Sequence, residues 1–121
     1  MDDIGQNGMD IVRNIKQMFL KGDGHVLVLA ASIRSLEHLL YCFALETELV
    51  TVPAKLLELW ASENFSMPDK QFQYRASGKS IPYAELDLER PWETFDIQHE
   101  LTRKGIEKFV ADYRATLSRP A

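Results

Sequence analysis

The stretch from His25 to Pro53 constrains the chain most, because its hydrophobic period changes twice in under thirty residues. Val26-Leu27-Val28-Leu29-Ala30-Ala31 is apolar throughout, with no polar alternation. Such a run predicts a strand over 26–31 buried on both faces, as in a parallel sheet. Ile33, Leu36, Leu39, Leu40 and Phe43 then recur at three- and four-residue steps, which places them on one face of a helix. Leu49-Val50-Thr51-Val52 reads as a second strand, closed by Pro53. Strand, helix and strand make one βαβ unit, whose crossover is right-handed by general rule. The fold class is therefore α/β.

The Ala30-Ala31-Ser32-Ile33-Arg34 corner lies at the carboxyl end of the first strand, where α/β folds place their ligands. Ser32 reads as the N-cap of the helix. The free N–H groups of Ile33, Arg34 and Ser35 would then point the same way, with the helix dipole behind them. Arg34 adds a planar fork suited to phosphate or carboxylate. Spacing alone leaves the plainer alternative open, a capped helix with one solvated arginine, because a single Ser-x-Arg match is common.

LAASIRSLEHLL followed by ELVTVPAKLLELW resembles the last two β/α repeats of the transaldolase and fructose-6-phosphate aldolase family. Asp2-Asp3-Ile4-Gly5-Gln6-Asn7-Gly8-Met9-Asp10 is similar to the acidic, glycine-bearing segment after that family's sixth strand. His99-Glu100-Leu101-Thr102-Arg103-Lys104-Gly105-Ile106 through Asp112 resembles its closing helix. The three blocks stand in the family's order over about two thirds of the chain. Residues 62–98 match least and look like an insertion between the last strand and the closing helix. The resemblance implies the C-terminal portion of a TIM (β/α)8 barrel, its last two parallel strands with their helices, and not a complete barrel. It implies a sugar-phosphate enzyme that moves or releases a dihydroxyacetone unit through a lysine Schiff base, without a cofactor or metal. It also implies that Ser32 and Arg34 bind the substrate's phosphate.

The resemblance also leaves a gap. The family's Schiff-base lysine stands on the fourth strand, helped by acidic residues on earlier strands, and this chain reads as starting after the sixth. None of the seven lysines (16, 21, 55, 70, 79, 104 and 108) lies in an apolar strand, where an amine of lowered pKa is expected. The chain is accordingly expected to hold the phosphate without performing the chemistry, so no catalytic residue is assigned.

Composition sets the remaining limits. At 121 residues, 45% hydrophobic and 26% charged, the chain suits one ordered domain over 1–121. A net charge of −4 with no basic cluster speaks against nucleic acid. No apolar run reaches the roughly 18 residues of a membrane span, and no signal-peptide pattern is present. The single Cys42 excludes an internal disulfide and suits a reducing cytoplasm; on a helix face it reads as a small buried hydrophobe.

Around the central unit, Met9, Ile11, Val12, Ile15, Met18 and Phe19 form a helical stripe over 9–21, more plausibly core than a cofactor box. Gly22-Asp23-Gly24 ends it. On the crossover helix, Arg34, Glu37, His38 and Tyr41 fall on the side away from the apolar stripe. His38 reads as a solvated surface histidine, since no Cys or His partner stands at metal spacing. Glu46 and Glu48 read as a solvated turn. Pro53 takes the first position of a helix over 53–61, with Leu56, Leu57 and Trp60 as its apolar face.

Residues 62–98 carry three prolines and six aromatics (Phe65, Phe72, Tyr74, Tyr83, Trp92, Phe95), a composition that argues for packing. Arg75 and Lys79 in Tyr74-Arg75-Ala76-Ser77-Gly78-Lys79-Ser80 superficially resemble a phosphate loop, but the four-residue spacing between two glycines is lacking. Thr102 reads as the cap of a last helix over 102–117, with Leu101 and Ile106 as a staple and Arg114 and Arg119 at its end.

Two kinds of function follow. One is the phosphate-holding part of a transaldolase-like enzyme, with a phosphorylated sugar as partner. The other is a non-catalytic α/β assembly or anion-binding module, or a truncated remnant. In either case two unpaired strand edges predict association, with another copy or with the missing N-terminal half of the barrel. The aromatic segment 62–98 is expected to reach across onto that neighbour.

Overall fold

The computed structural model describes residues 1–22 and 24–117, with the Lys21 side chain left aside. Arg119 and Asp23, named above, lie outside the described residues. Contacts divide the chain expected as one domain into two compact units, residues 1–85 and 86–121. Each is described by itself.

Unit 1 is a small α/β structure. A single 3₁₀ turn at Asp2–Ile4 precedes helix α1 (Met9–Met18), which tightens into another 3₁₀ turn at Phe19–Lys21. Strand β1 (Leu29–Ala30), helix α2 (Leu36–Ala44), strand β2 (Leu49–Val50) and helix α3 (Ala54–Ser62) follow. The two strands pair in parallel, with Leu29 opposite Leu49 and Ala30 opposite Val50. Leu49 N–H donates to Val28 O at 3.1 Å, and Thr51 N–H donates to Ala30 O at 2.9 Å. The βαβ unit is thus present, with shorter ladders than the expected 26–31 and 49–52.

The expectation of burial on both faces is corrected. Side chains alternate across a strand, so Val28 and Ala30 point one way, and Leu27 and Leu29 the other. Helices cover only the first face: Ala30 is 2% exposed, whereas Leu29 is 53% exposed. Leu27 and Leu49 are exposed beside Leu29. The core of unit 1 is therefore one-sided. Met9, Ala30, Ile33, Leu39 and Cys42 form its centre, flanked by Val12, Leu36, Val50, Val52, Leu56 and Trp60. Cys42 is fully buried, and burial pushes its thiol pKa up, away from nucleophile chemistry.

The expected helix starts also move. Pro53 precedes α3 as its cap position, in extended conformation, and its carbonyl accepts from Leu56 and Leu57 N–H. Leu57 faces outward. Glu48 is no idle turn residue, because Lys16 Nζ pairs with its Oε1 and also reaches Glu46 O, while Glu48 Oε2 accepts Val28 N–H at 3.1 Å. Held by Lys16 first, then by backbone N–H groups, the Glu48 carboxyl lies below its usual pKa. This clasp joins α1 to the starts of both strands.

Unit 2 contains a 3₁₀ turn at Trp92–Thr94 and helix α4 (Glu100–Leu117). Arg90 donates to Thr94 and lies 4.9 Å over the Phe95 ring. Since α4 starts at Glu100, Thr102 sits inside it and does not cap it. His99 takes that place: Leu101 N–H donates to His99 Nδ1 at 3.2 Å. The stripe Ile106, Phe109, Val110, Tyr113 and Leu117 is exposed on α4. No helix among the described residues is long and apolar enough to cross a membrane.

Candidate functional site

Ser32 leaves β1 with φ 59°, in the left-handed region that non-glycine residues seldom adopt. An N-cap residue needs extended φ and ψ, so Ser32 does not cap α2. Ser35 does, with φ −140° and ψ 158°, and its Oγ accepts His38 N–H at 3.1 Å. The helix therefore starts three residues later than the corner suggests, and the N–H groups of residues 33–35 precede it. Leu36 and Glu37 carry the first helical N–H groups. The strained Ser32 turn is stabilised by what surrounds it: buried Ile33 anchors the loop in the core immediately after.

The two residues expected to hold phosphate line different clefts. Ser32 and Ile33 border one of about 250 Å³, with Thr51, Val52 and Pro53 opposite. Arg34 and Ser35 border another of about 310 Å³. Arg34 Nη1 is paired with Asp3 Oδ1, both side chains being largely in solvent. The Arg34 hydrogen bond holds the Asp3 carboxyl below its usual pKa.

The far wall of the second cleft is a surprise of the fold. Residues 74–81 return as a strap across the outer side of α2 and the loop before α1. Tyr74 stacks on Tyr41 with centroids 4.4 Å apart and planes within 9°, and meets His38 edge-on at 6.0 Å. His38, expected in solvent, is thereby 9% exposed, with Asp2 Oδ2 at 4.0 Å from its Nε2. Arg75 N–H donates to Glu37 Oε1 at 2.8 Å. Arg75, Ser77 and Tyr74 all line the cleft.

Polar anchors hold the strap down. Tyr74 Oη–H donates to buried Asn7 Oδ1 at 3.0 Å, Lys79 N–H to Gly5 O at 2.8 Å, and Asn7 N–H to Lys79 O at 2.9 Å. Gly78 must be glycine: its φ is 130°, and a Cβ there would stand 2.9 Å from Gly5 O. Asp10, 2% exposed, accepts from Ser80 Oγ at 2.9 Å, from Ile81 N–H at 2.8 Å and from Arg13 at 2.8 Å. Burial pushes its carboxyl up, but the Ile81 N–H, the Ser80 hydroxyl and Arg13 outweigh that and hold it below the usual range. Desolvation and the nearby carboxylates Asp2, Glu37 and Asp10 push the Tyr74 hydroxyl up to about 12, so it remains a donor at neutral pH. These partners lie about seventy residues apart in sequence, and no local pattern announces them.

Among the described residues no group of three or more His, Cys, Asp or Glu could hold a metal ion. The described lysine side chains sit on helices or loops; none belongs to β1 or β2.

Comparison with known proteins gives consistent relatives. A protein of Maricaulis maris named probable transaldolase is 27% identical over 116 residues, covering 96% of this chain and 37% of that protein. One of Roseiflexus sp., with the same name, is 29% identical over 115 residues, 95% of this chain and 36% of its own. A third, from Bacillus cereus, is 28% identical over 116 residues. The resemblance read from the three sequence blocks is thus matched by curated homologues carrying the transaldolase name along nearly the whole chain. The chain spans little more than a third of the length of these relatives. No family model matches it, and no solved structure does.

Proposed function

We propose that this chain is the C-terminal, phosphate-holding part of a transaldolase-type (β/α)8 barrel, in which Ser32 and Arg34 grip the phosphate of a sugar phosphate. The parent reaction is aldol transfer or cleavage of a dihydroxyacetone unit through a lysine Schiff base. The single observation that carries this reading is the alignment of proteins named probable transaldolase along 96% of the chain. Two features of the fold support it. Ser32 and Arg34 follow the carboxyl end of a parallel strand, the end at which barrel enzymes place their sites. The helices of unit 1 cover one sheet face and leave Leu27, Leu29 and Leu49 bare, as expected of strands whose other face fills a barrel interior.

The Schiff-base lysine belongs, on this reading, to the part of the barrel that precedes these repeats, and a cytoplasmic setting fits the substrate. The bare face and the two strand edges are where the rest of the barrel, or a second copy of this chain, would dock. The test combines two measurements on the 121-residue chain. In NMR titration with inorganic phosphate, the amides of residues 32–36 should shift, and Arg34→Ala should remove the response. Borohydride trapping with fructose 6-phosphate should leave the intact mass unchanged. A chain whose corner amides ignore millimolar phosphate loses the phosphate-grip role. A stoichiometric adduct on one lysine would make the chain an enzyme by itself.

A further inference from the structure

We propose that the strap residue Arg75 supplies a second guanidinium to the anion site, so that a phosphate monoester lies in the cleft between Arg34 and Arg75. The proposal rests on the Arg34 part of the phosphate-grip reading above, since Ser32 lines the neighbouring cleft, and assigns a ligand residue outside the Ser-x-Arg corner. Three observations carry it. Arg34 and Arg75 line one cleft of about 310 Å³, large enough for a phosphate and a short carbon chain. The Arg75 guanidinium has no hydrogen-bond or ion-pair partner among the described residues, whereas Arg34 is occupied by Asp3. The backbone at Arg75 is nevertheless fixed: its own N–H is held by Glu37, and Tyr74 before it is stacked on Tyr41 and bonded to Asn7. A held backbone carrying an unpartnered, exposed guanidinium is the arrangement expected of a charge kept for a ligand.

Asp2 and Glu37 also line the cleft and keep their charge, so both guanidinium groups are needed for an anion to bind there. Asp2 Oδ1 already accepts Gly8 N–H at 2.9 Å while its Oδ2 faces His38, and Glu37 Oε1 is occupied by the Arg75 N–H. The hydroxyls of Ser35 and Ser77 line the same space and retain protons to donate. Two planar forks suit a tetrahedral dianion better than a carboxylate monoanion, since each can take two oxygens. The strap thereby explains why an aromatic, glycine-bearing segment is tied so firmly across α2: it delivers the second fork to a site that Arg34 alone would leave half-built.

The experiment is NMR titration of the full chain with inorganic phosphate, then with dihydroxyacetone phosphate against dihydroxyacetone, for the native protein, Arg75→Ala and Arg75→Lys. The expected result is a response at residues 34–37 and 75–77. Arg75→Ala should weaken phosphate about tenfold, the loss typical of one hydrogen bond to a charged group. Arg75→Lys should fall between, because it keeps the charge and loses the fork. Unchanged circular dichroism and an unchanged Tyr74 environment exclude a folding effect, since the hydrogen bond that ties Arg75 to α2 is made by its backbone N–H. Equal affinity in the native chain and Arg75→Ala, with residues 32–36 still responding, overturns this proposal and leaves the corner reading standing. Response at 34–37 and 75–77 without 32–33 upholds Arg75 and removes Ser32 from the grip. Silence in both regions removes both.

Discussion

Asp3 and Asp10 stand seven residues apart, each paired with an arginine, yet they do opposite work. Asp10 is buried and accepts from the Ser80 hydroxyl, the Ile81 N–H and Arg13. Asp3 is exposed and, among the described residues, is paired with the likewise exposed Arg34. A buried carboxylate cannot lose its donors without being left uncompensated, so its bonds are permanent in the native state. An exposed pair is exchanged readily for water or for another ion. Asp10 is therefore a fastener that holds the strap, and Asp3 a latch that keeps Arg34 in place until an anion competes for it. The same chemical pair takes its role from solvent exposure and donor count.

The sharpest way to break the comparison is to remove the fastener. Asp10→Ala removes the shared acceptor of the Ile81 N–H and the Ser80 hydroxyl, and should cost about 1–3 kcal/mol in urea unfolding. Asp10→Asn keeps one acceptor and should cost about half as much. The pH dependence has a definite sign. The folded carboxyl lies below its ordinary 3.8, so the contribution is complete above that value and is lost as pH falls through 3.8 and then the lower folded pKa. Stability of the native chain should therefore drop steeply below about pH 4, and Asp10→Ala should flatten that limb. A mutant as stable as the native chain at pH 7 would show that the strap is held elsewhere.

Gly78→Ala attacks the same strap from its backbone. It adds a Cβ 2.9 Å from Gly5 O at a φ of 130°, and backbone cannot yield as a flexible side chain can. A cost of about 2 kcal/mol is expected. The Tyr74–Tyr41 stack should loosen with it, visible as a change in near-ultraviolet circular dichroism. An unchanged spectrum would mean the strap tolerates a different path.

These two residues also mark how much could be read from the chain alone. The βαβ unit was legible because its signals are local: an apolar run, a helical stripe and a β-branched run in succession. The Ser32–Arg34 corner was legible as a location, but not in its geometry. Serines stand at both 32 and 35, and only the backbone conformation decides which one caps α2. The one-sided core escaped because an apolar run does not say which neighbours are present. The strap escaped for a deeper reason. Asn7, Tyr74, Gly78 and Ser80 have ordinary local readings as loop residues and Asp10 as a first-turn helix residue, and their meaning arises only when about seventy residues of chain close on themselves. His38 reads as solvated in the sequence and is buried in the fold for the same cause, since its cover, Tyr74, comes from that return.

The smallest expected effect tests the latch. Asp3→Asn removes the charge that holds Arg34 without touching the core, and an exposed ion pair of this kind adds little to stability. Thermal unfolding should therefore be unchanged, in contrast to Asp10→Ala. Phosphate, by contrast, now binds a guanidinium that no longer has to leave a carboxylate, and nearby negative charge is reduced as well. Affinity should rise roughly two- to fivefold at low ionic strength. The gain should shrink as salt is raised, because exposed charges a few ångströms from solvent are screened within a Debye length of about 10 Å at 0.1 M. If Asp3→Asn weakened phosphate binding instead, Asp3 would be positioning Arg34 for the ligand and not competing with it, and the contrast with Asp10 would fail at the exposed end.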